Sequence, residues 1–235
     1  MLRDLIAAHT LQFERPERAP CDEKTGLRLL LAFVLVGLVI HPALQALARA
    51  AGPTDVYWAR PAIVVALLVT VILVMVGFVR SSGGIIGLHP WKEWTPRERI
   101  YVLTVIPLAT VVFGFMFREH FERLAGINGW TRVLLLTVPT GLLWGFVQEL
   151  IYRGLLQTEL VRRLGPVAGV LIANLVFTFG PLHFNYFGLG TDAGPRWGMF
   201  GAIFVIGQFF GLVYQRSGNL WIPALLHGLW PLNMT

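Results

Sequence analysis

The chain has 235 residues, of which 55% are hydrophobic and only 14% charged, with a mean hydropathy of +0.65 and a formal net charge of +6. That composition excludes an ordinary soluble domain and reads as one multi-pass membrane unit, its core made by packing helix against helix in lipid. The basic balance then points to anionic lipid headgroups and not to nucleic acid, and the single cysteine, Cys21, excludes an intrachain disulfide and a cysteine-based zinc site.

Residues 1–25 read as a cytoplasmic N-terminal segment. Met1 to Phe13 suits a short amphipathic helix on the membrane surface, with Leu2, Leu5, Ile6 and Leu11 on one side. Nine charged residues precede the first long apolar run, so the start does not resemble a cleavable signal peptide with a short basic head. Residues 26–235 then predict an all-α transmembrane bundle of about seven spanning helices. The apolar runs are Leu27 to Ala48, Ala62 to Val79, Ile100 to Phe117, Val133 to Ile151, Val167 to Leu182, Met199 to Tyr214 and a short one from Leu220 to Leu232. Trp58, Trp91, Trp94, Trp130, Trp197 and Trp221 flank these runs, as an interfacial belt does. With seven crossings and a cytoplasmic N-terminus, twelve of the Lys and Arg fall on the inner side and six on the outer, with Arg153 left inside a helix. The positive-inside rule therefore favours that orientation.

The fourth run carries the chemistry. Within Trp144 to Gly154 (WGFVQELIYRG), Glu149 and Arg153 stand four apart on one helical face, inside apolar surroundings where a charge costs a few kcal/mol or more. The helical pattern continues past Arg153 until Gly165-Pro166, so a helix from about Arg132 to Leu164 is longer than a bilayer and must tilt, protrude or bend. Glu149 lies 16 residues before Gly165 and His183 lies 18 after it. At about 1.5 Å per residue the two differ in depth by only about 3 Å, and His227 enters from the same side. Gly180-Pro181 predicts that the fifth helix ends just before His183. A carboxylate as base and histidines around a developing oxyanion suit peptide-bond hydrolysis. The same three groups, Glu149, His183 and His227, also form a plausible zinc-ligand set.

Three stretches carry a resemblance: Gln148-Glu149-Leu150-Ile151-Tyr152-Arg153-Gly154, Phe179 with His183 four residues on, and His227 near the C-terminus. They resemble the motifs of the CAAX protease and bacteriocin-processing family, over about Leu135 to Asn233. The resemblance implies a helical-bundle intramembrane glutamic endopeptidase, with no cofactor, acting on a protein or peptide that is lipidated or membrane-anchored. It implies catalytic roles for Gln148, Glu149, Arg153, His183 and His227, and a prokaryotic plasma membrane suits the whole. Two positions depart from the family pattern. Gln148 stands where the family has its first glutamate, and glutamine accepts no proton at neutral pH. Pro231 stands where the family has an asparagine, with Asn233 nearby as a substitute. Either Glu149 has taken over as base, or the chain is a disabled form, or it is a non-catalytic scaffold or immunity-type protein of the same fold.

Overall fold

The computed structural model describes residues 2–13, 21–50, 56–80, 83–188 and 194–229, and the described residues are helical with no strand. In chain order the helices are α1 (Leu2–His9), α2 (Glu23–Phe33), α3 (His41–Ala50), α4 (Val56–Val74), α5 (Pro96–Met116), α6 (Arg118–Asn128), α7 (Trp130–Arg132), α8 (Val138–Glu149), α9 (Thr158–Phe179), α10 (Trp197–Ser217) and α11 (Trp221–Gly228). Wider π-helical stretches continue some of these without a break. Val34–Ile40 joins α2 to α3, Val133–Thr137 joins α7 to α8, and Leu150–Gln157 joins α8 to α9.

The helix starts follow local rules. Asp22 caps α2 by accepting the Thr25 N–H at 2.6 Å, a bond that holds its carboxyl below the usual carboxylate range. Thr95 and Glu98 form a reciprocal capping box at the head of α5, with Pro96 in the first turn. The expected N-terminal helix is present as α1. Its Ala7 and Ala8 are buried, Thr104 of α5 meets the His9 Nε2 at 3.0 Å, and Leu2, Leu5 and Ile6 point outward.

Among the described residues, five helical runs are long and apolar enough to cross a membrane: Glu23–Leu47, Pro61–Val79, Pro96–Met116, Trp130–Phe184 and Trp197–Ser217. They expose Leu73, Val76, Leu103, Val111 and Phe115, the side chains that lipid would cover. The runs expected from Val133 to Ile151 and from Val167 to Leu182 lie on either side of Gly165 in the stretch Trp130–Phe184. The stretch reverses at Gly165, whose φ of 80° and ψ of 168° leave the helical region just before Pro166. The two arms then pack backbone to backbone: a Cβ at Gly169 would lie 2.5 Å from the Val161 Cα. The last expected run is represented by α11, whose 8 residues are far short of the ~20 needed to span.

Two polar features hold this hairpin in place. Glu159, fully buried, receives Arg162 at 2.6 Å and Arg163 at 2.5 Å, and both arginines also reach Glu23 at the head of α2. Along the other face, Gln157 donates to the Gly211 carbonyl at 2.9 Å and Asn174 to the Phe204 carbonyl at 2.9 Å, clipping both arms to α10. Interhelical bonds of this kind replace the hydrophobic drive that lipid removes.

Candidate active site

Glu149 is the last residue of α8, and Arg153 sits inside the π-helical stretch that follows. Both are wholly enclosed, with the Arg153 Nε 3.2 Å from the Glu149 Oε2. The guanidinium is anchored elsewhere as well. Its Nη2 donates to the Gly207 carbonyl at 2.8 Å, and its carbon stacks 5.0 Å over the ring of Phe177. A buried ion pair persists only when further bonds complete it, and these are the further bonds.

The other carboxylate oxygen, Oε1, accepts from the His227 Nδ1 at 2.8 Å. What lets α11 come this close is Gly145, one turn before Glu149 on α8. A Cβ at 145 would lie 2.6 Å from the Gly228 Cα and 2.8 Å from the His227 carbonyl carbon, so the two helices cross with only hydrogen between them. Phe210 stacks on the opposite side of the imidazole, 5.0 Å between centroids.

His183 arrives from the second arm. The helix α9 stops at Phe179, Gly180 turns extended, and Pro181 opens a 3₁₀ segment over Pro181–Phe187, as the Gly-Pro pair predicts. His183 lies within that segment at φ −115° and ψ 15°, and its Nδ1 donates to the Phe177 carbonyl at 2.9 Å. Phe177 is the hub of the arrangement. His183 packs edge-on to its ring at 5.1 Å, His227 at 5.9 Å and Tyr152 at 5.1 Å, and Arg153 lies over its face.

Arg153, His183 and His227 are therefore gathered around one ring, and Glu149 joins them through Arg153 and His227. Gln148 is buried beside Glu149 on α8, while Asn233 and Pro231 lie outside the described residues. Among the described residues no three His, Cys, Asp or Glu side chains are placed to hold one metal ion, so Glu149, His183 and His227 are not assembled as a zinc-ligand set. Glu149 differs from a carboxylate poised directly over water, because its two oxygens face His227 and Arg153 and nothing of it is exposed. The bonds also place the ring protons. A carboxylate and a carbonyl only accept, so each Nδ1 carries a proton.

Two residues escaped the sequence reading. The aromatic residue of the site is Phe177, not the motif's Phe179, which is exposed and packs on Phe200 at 5.1 Å. The extended Gly180 breaks the helical phase, so spacing from His183 does not identify the facing ring. His41, at the head of α3, is buried against Trp144, 5.3 Å between ring centroids, and lies within electrostatic reach of His183. Its only sequence signal is a lone imidazole inside an apolar run.

Residues 129–232 match the family described as type II CAAX prenyl endopeptidase Rce1-like. The chain is also 27% identical over 149 residues to the uncharacterized protein YpbD of Bacillus subtilis (strain 168), an alignment that covers 58% of this chain and 68% of that one. No solved structure matches it.

Proposed function

We propose that this integral membrane chain, Rce1-like over residues 129–232, is an endopeptidase that cuts a peptide bond of a membrane-associated protein or peptide within the bilayer. The observation that carries the reading is the 2.8 Å bond from the His227 Nδ1 to a Glu149 carboxylate that is itself held by Arg153. A carboxylate–imidazole pair of this kind makes the imidazole Nε2 a general base. His227 takes a proton from water at Nε2, the hydroxide adds to the scissile carbonyl carbon, and the proton passes from Nε2 to the departing amine as the C–N bond breaks. The Glu149 carboxylate stabilises the imidazolium, and Arg153 holds that carboxylate in place. The Nε2 of His183 offers a second acceptor beside the same ring and orients the water. Gln148 is a neutral neighbour in this scheme, which does without the motif's first glutamate.

The substrate reaches such a buried site laterally, from lipid, so a membrane-anchored or C-terminally lipidated peptide is the fitting class. The distribution of Lys and Arg supports a cytoplasmic N-terminus in a prokaryotic plasma membrane. Gln148 favours one second reading, a non-catalytic scaffold or immunity-type protein that binds such a peptide without cutting it. Mass spectrometry separates the two readings: a library of lipidated and membrane-anchored peptides is incubated with reconstituted protein and with its Glu149→Ala and Gln148→Glu variants. The peptidase reading expects products from the native chain that vanish in Glu149→Ala. Silence from the native chain with cleavage by Gln148→Glu establishes the non-catalytic reading.

A further inference from the structure

Addition of hydroxide to a carbonyl places negative charge on its oxygen, and a dry site must aim a donor at that oxygen. The imidazoles already described begin the reaction without one to offer, since His183 spends its N–H on the Phe177 carbonyl and His227 spends its own on Glu149. A third imidazole packs on the helix that carries Gln148 and Glu149. His41 is 2% exposed and is contributed by the N-terminal part of the chain, far outside the matched residues 129–232. Gly37, one turn earlier, brings this helix against the site helix: a Cβ there would lie 3.0 Å from the Ile151 Cγ2. The His41 ring then packs on Trp144, which is one turn before Gln148 on α8.

The bonding of His41 defines its tautomer. Its Nε2 lies 2.9 Å from the Gln45 Nε2, an amide nitrogen that can only donate. His41 Nε2 is therefore the acceptor and Nδ1 holds the proton. That Nδ1 is buried and has no hydrogen-bond partner. An unspent buried donor is costly, so its retention calls for a use. We propose that His41 is a catalytic residue of this site, its Nδ1–H donating to the scissile carbonyl oxygen of the bound peptide and to the oxyanion that forms there. The proposal rests on the peptidase reading for the identity of the ligand. Tyr152 Oη and Arg153 Nη1 are also buried without a bond, but Tyr152 is packed against Phe33 and Phe177 and Arg153 is wholly enclosed beside Glu149.

The test compares His41→Phe, which keeps a flat ring without a donor, with His41→Asn, which restores an N–H, and with Tyr152→Phe as the competing donor. Turnover of a cleaved peptide is measured together with binding of the same peptide carrying a hydroxyethylene in place of the scissile amide. ¹⁵N spectra of the histidine rings report the His41 tautomer. The expected result is a fall in kcat of about 10²-fold for His41→Phe with KM little changed, partial recovery in His41→Asn, and the Nδ1–H tautomer in the native protein. Equal kcat in native and His41→Phe protein, an Nε2–H tautomer, or a loss confined to Tyr152→Phe overturns the assignment. If the native chain turns nothing over, analogue binding decides. Binding weakened by His41→Phe keeps the donor role and rejects only catalysis, whereas equal or absent binding rejects the donor role as well.

Discussion

Ten residues apart on the same helical stretch stand two acids, each with an arginine four residues on, and they do opposite things. Glu159 and Glu149 are both fully buried. Around Glu159 the bonding is complete: Arg162 and Arg163 both reach its carboxylate, and Glu23 balances the second positive charge, so two acids meet two bases. Around Glu149 it is not. Its partners are one guanidinium at 3.2 Å and one imidazole at 2.8 Å, and the Arg153 Nε and Nη1 are left without hydrogen bonds. A saturated cluster is a fastener. In the proposed reading the under-satisfied one is the site.

Replacing the glycine at the crossing of α8 and α11 breaks this contrast most severely. The atoms facing Gly145 are the backbone of Gly228 and His227, which cannot swing aside, so Gly145→Ala must push α11 away and separate His227 from Glu149. Overpacking of this kind costs about 1–3 kcal/mol. We expect a lower unfolding temperature in detergent together with loss of all detectable peptide cleavage. Unchanged cleavage would show that His227 does not need Glu149.

Paired isosteric changes sharpen the contrast further. Glu149→Gln keeps the shape but removes the charge that supports the imidazolium, and cleavage falls by about 10²–10⁴-fold. Glu159→Gln removes a charge of equal burial from the fastener. It lowers the melting temperature by loosening α2 from the hairpin and leaves the kcat of the folded fraction unchanged. Thermal melts and initial rates on the same preparations read both effects, and a kcat loss in Glu159→Gln would erase the distinction drawn here.

These two clusters also show what a reader of the sequence can and cannot see. Glu149-x-x-x-Arg153 and Glu159-x-x-x-Arg163 are the same pattern, and only the polar neighbourhood of the second hints at a surface. Counting residues from Gly165 brings His183 to the depth of Glu149, because a hairpin preserves distance from its turn, and His183 and the Arg153 partner of Glu149 both pack on Phe177. The all-α class and the break before His183 were legible for the same reason, since Gly and Pro act locally. The choice of Phe177 over Phe179 was not, because an extended glycine resets the phase. The π-helical widening after Glu149 left no compositional mark, whereas the separation of the fourth and fifth runs at Gly165-Pro166 was legible, because Gly165 leaves the helical region there. His41 meets the helix that carries Glu149 through a tertiary contact with Trp144 that no spacing encodes.

The smallest effect is expected beside the fastener, at Gly26. A Cβ there would lie 2.6 Å from the Glu159 Cδ, as close on paper as the contact at Gly145. The neighbour differs in kind. It is the far end of a side chain with three rotatable bonds, whose arginine partners are themselves long and partly exposed. The carboxylate must withdraw by about 1 Å, a move open to the end of a side chain but not to backbone, and alanine is the better helix former in α2 by about 0.8–1 kcal/mol. Gly26→Ala should therefore leave cleavage unchanged and move the melting temperature little, the gain in helix propensity offsetting the strain on Glu159. A collapse comparable to that of Gly145→Ala would mean that Glu159 is as rigidly placed as backbone, and that the fastener is built to the same tolerance as the site.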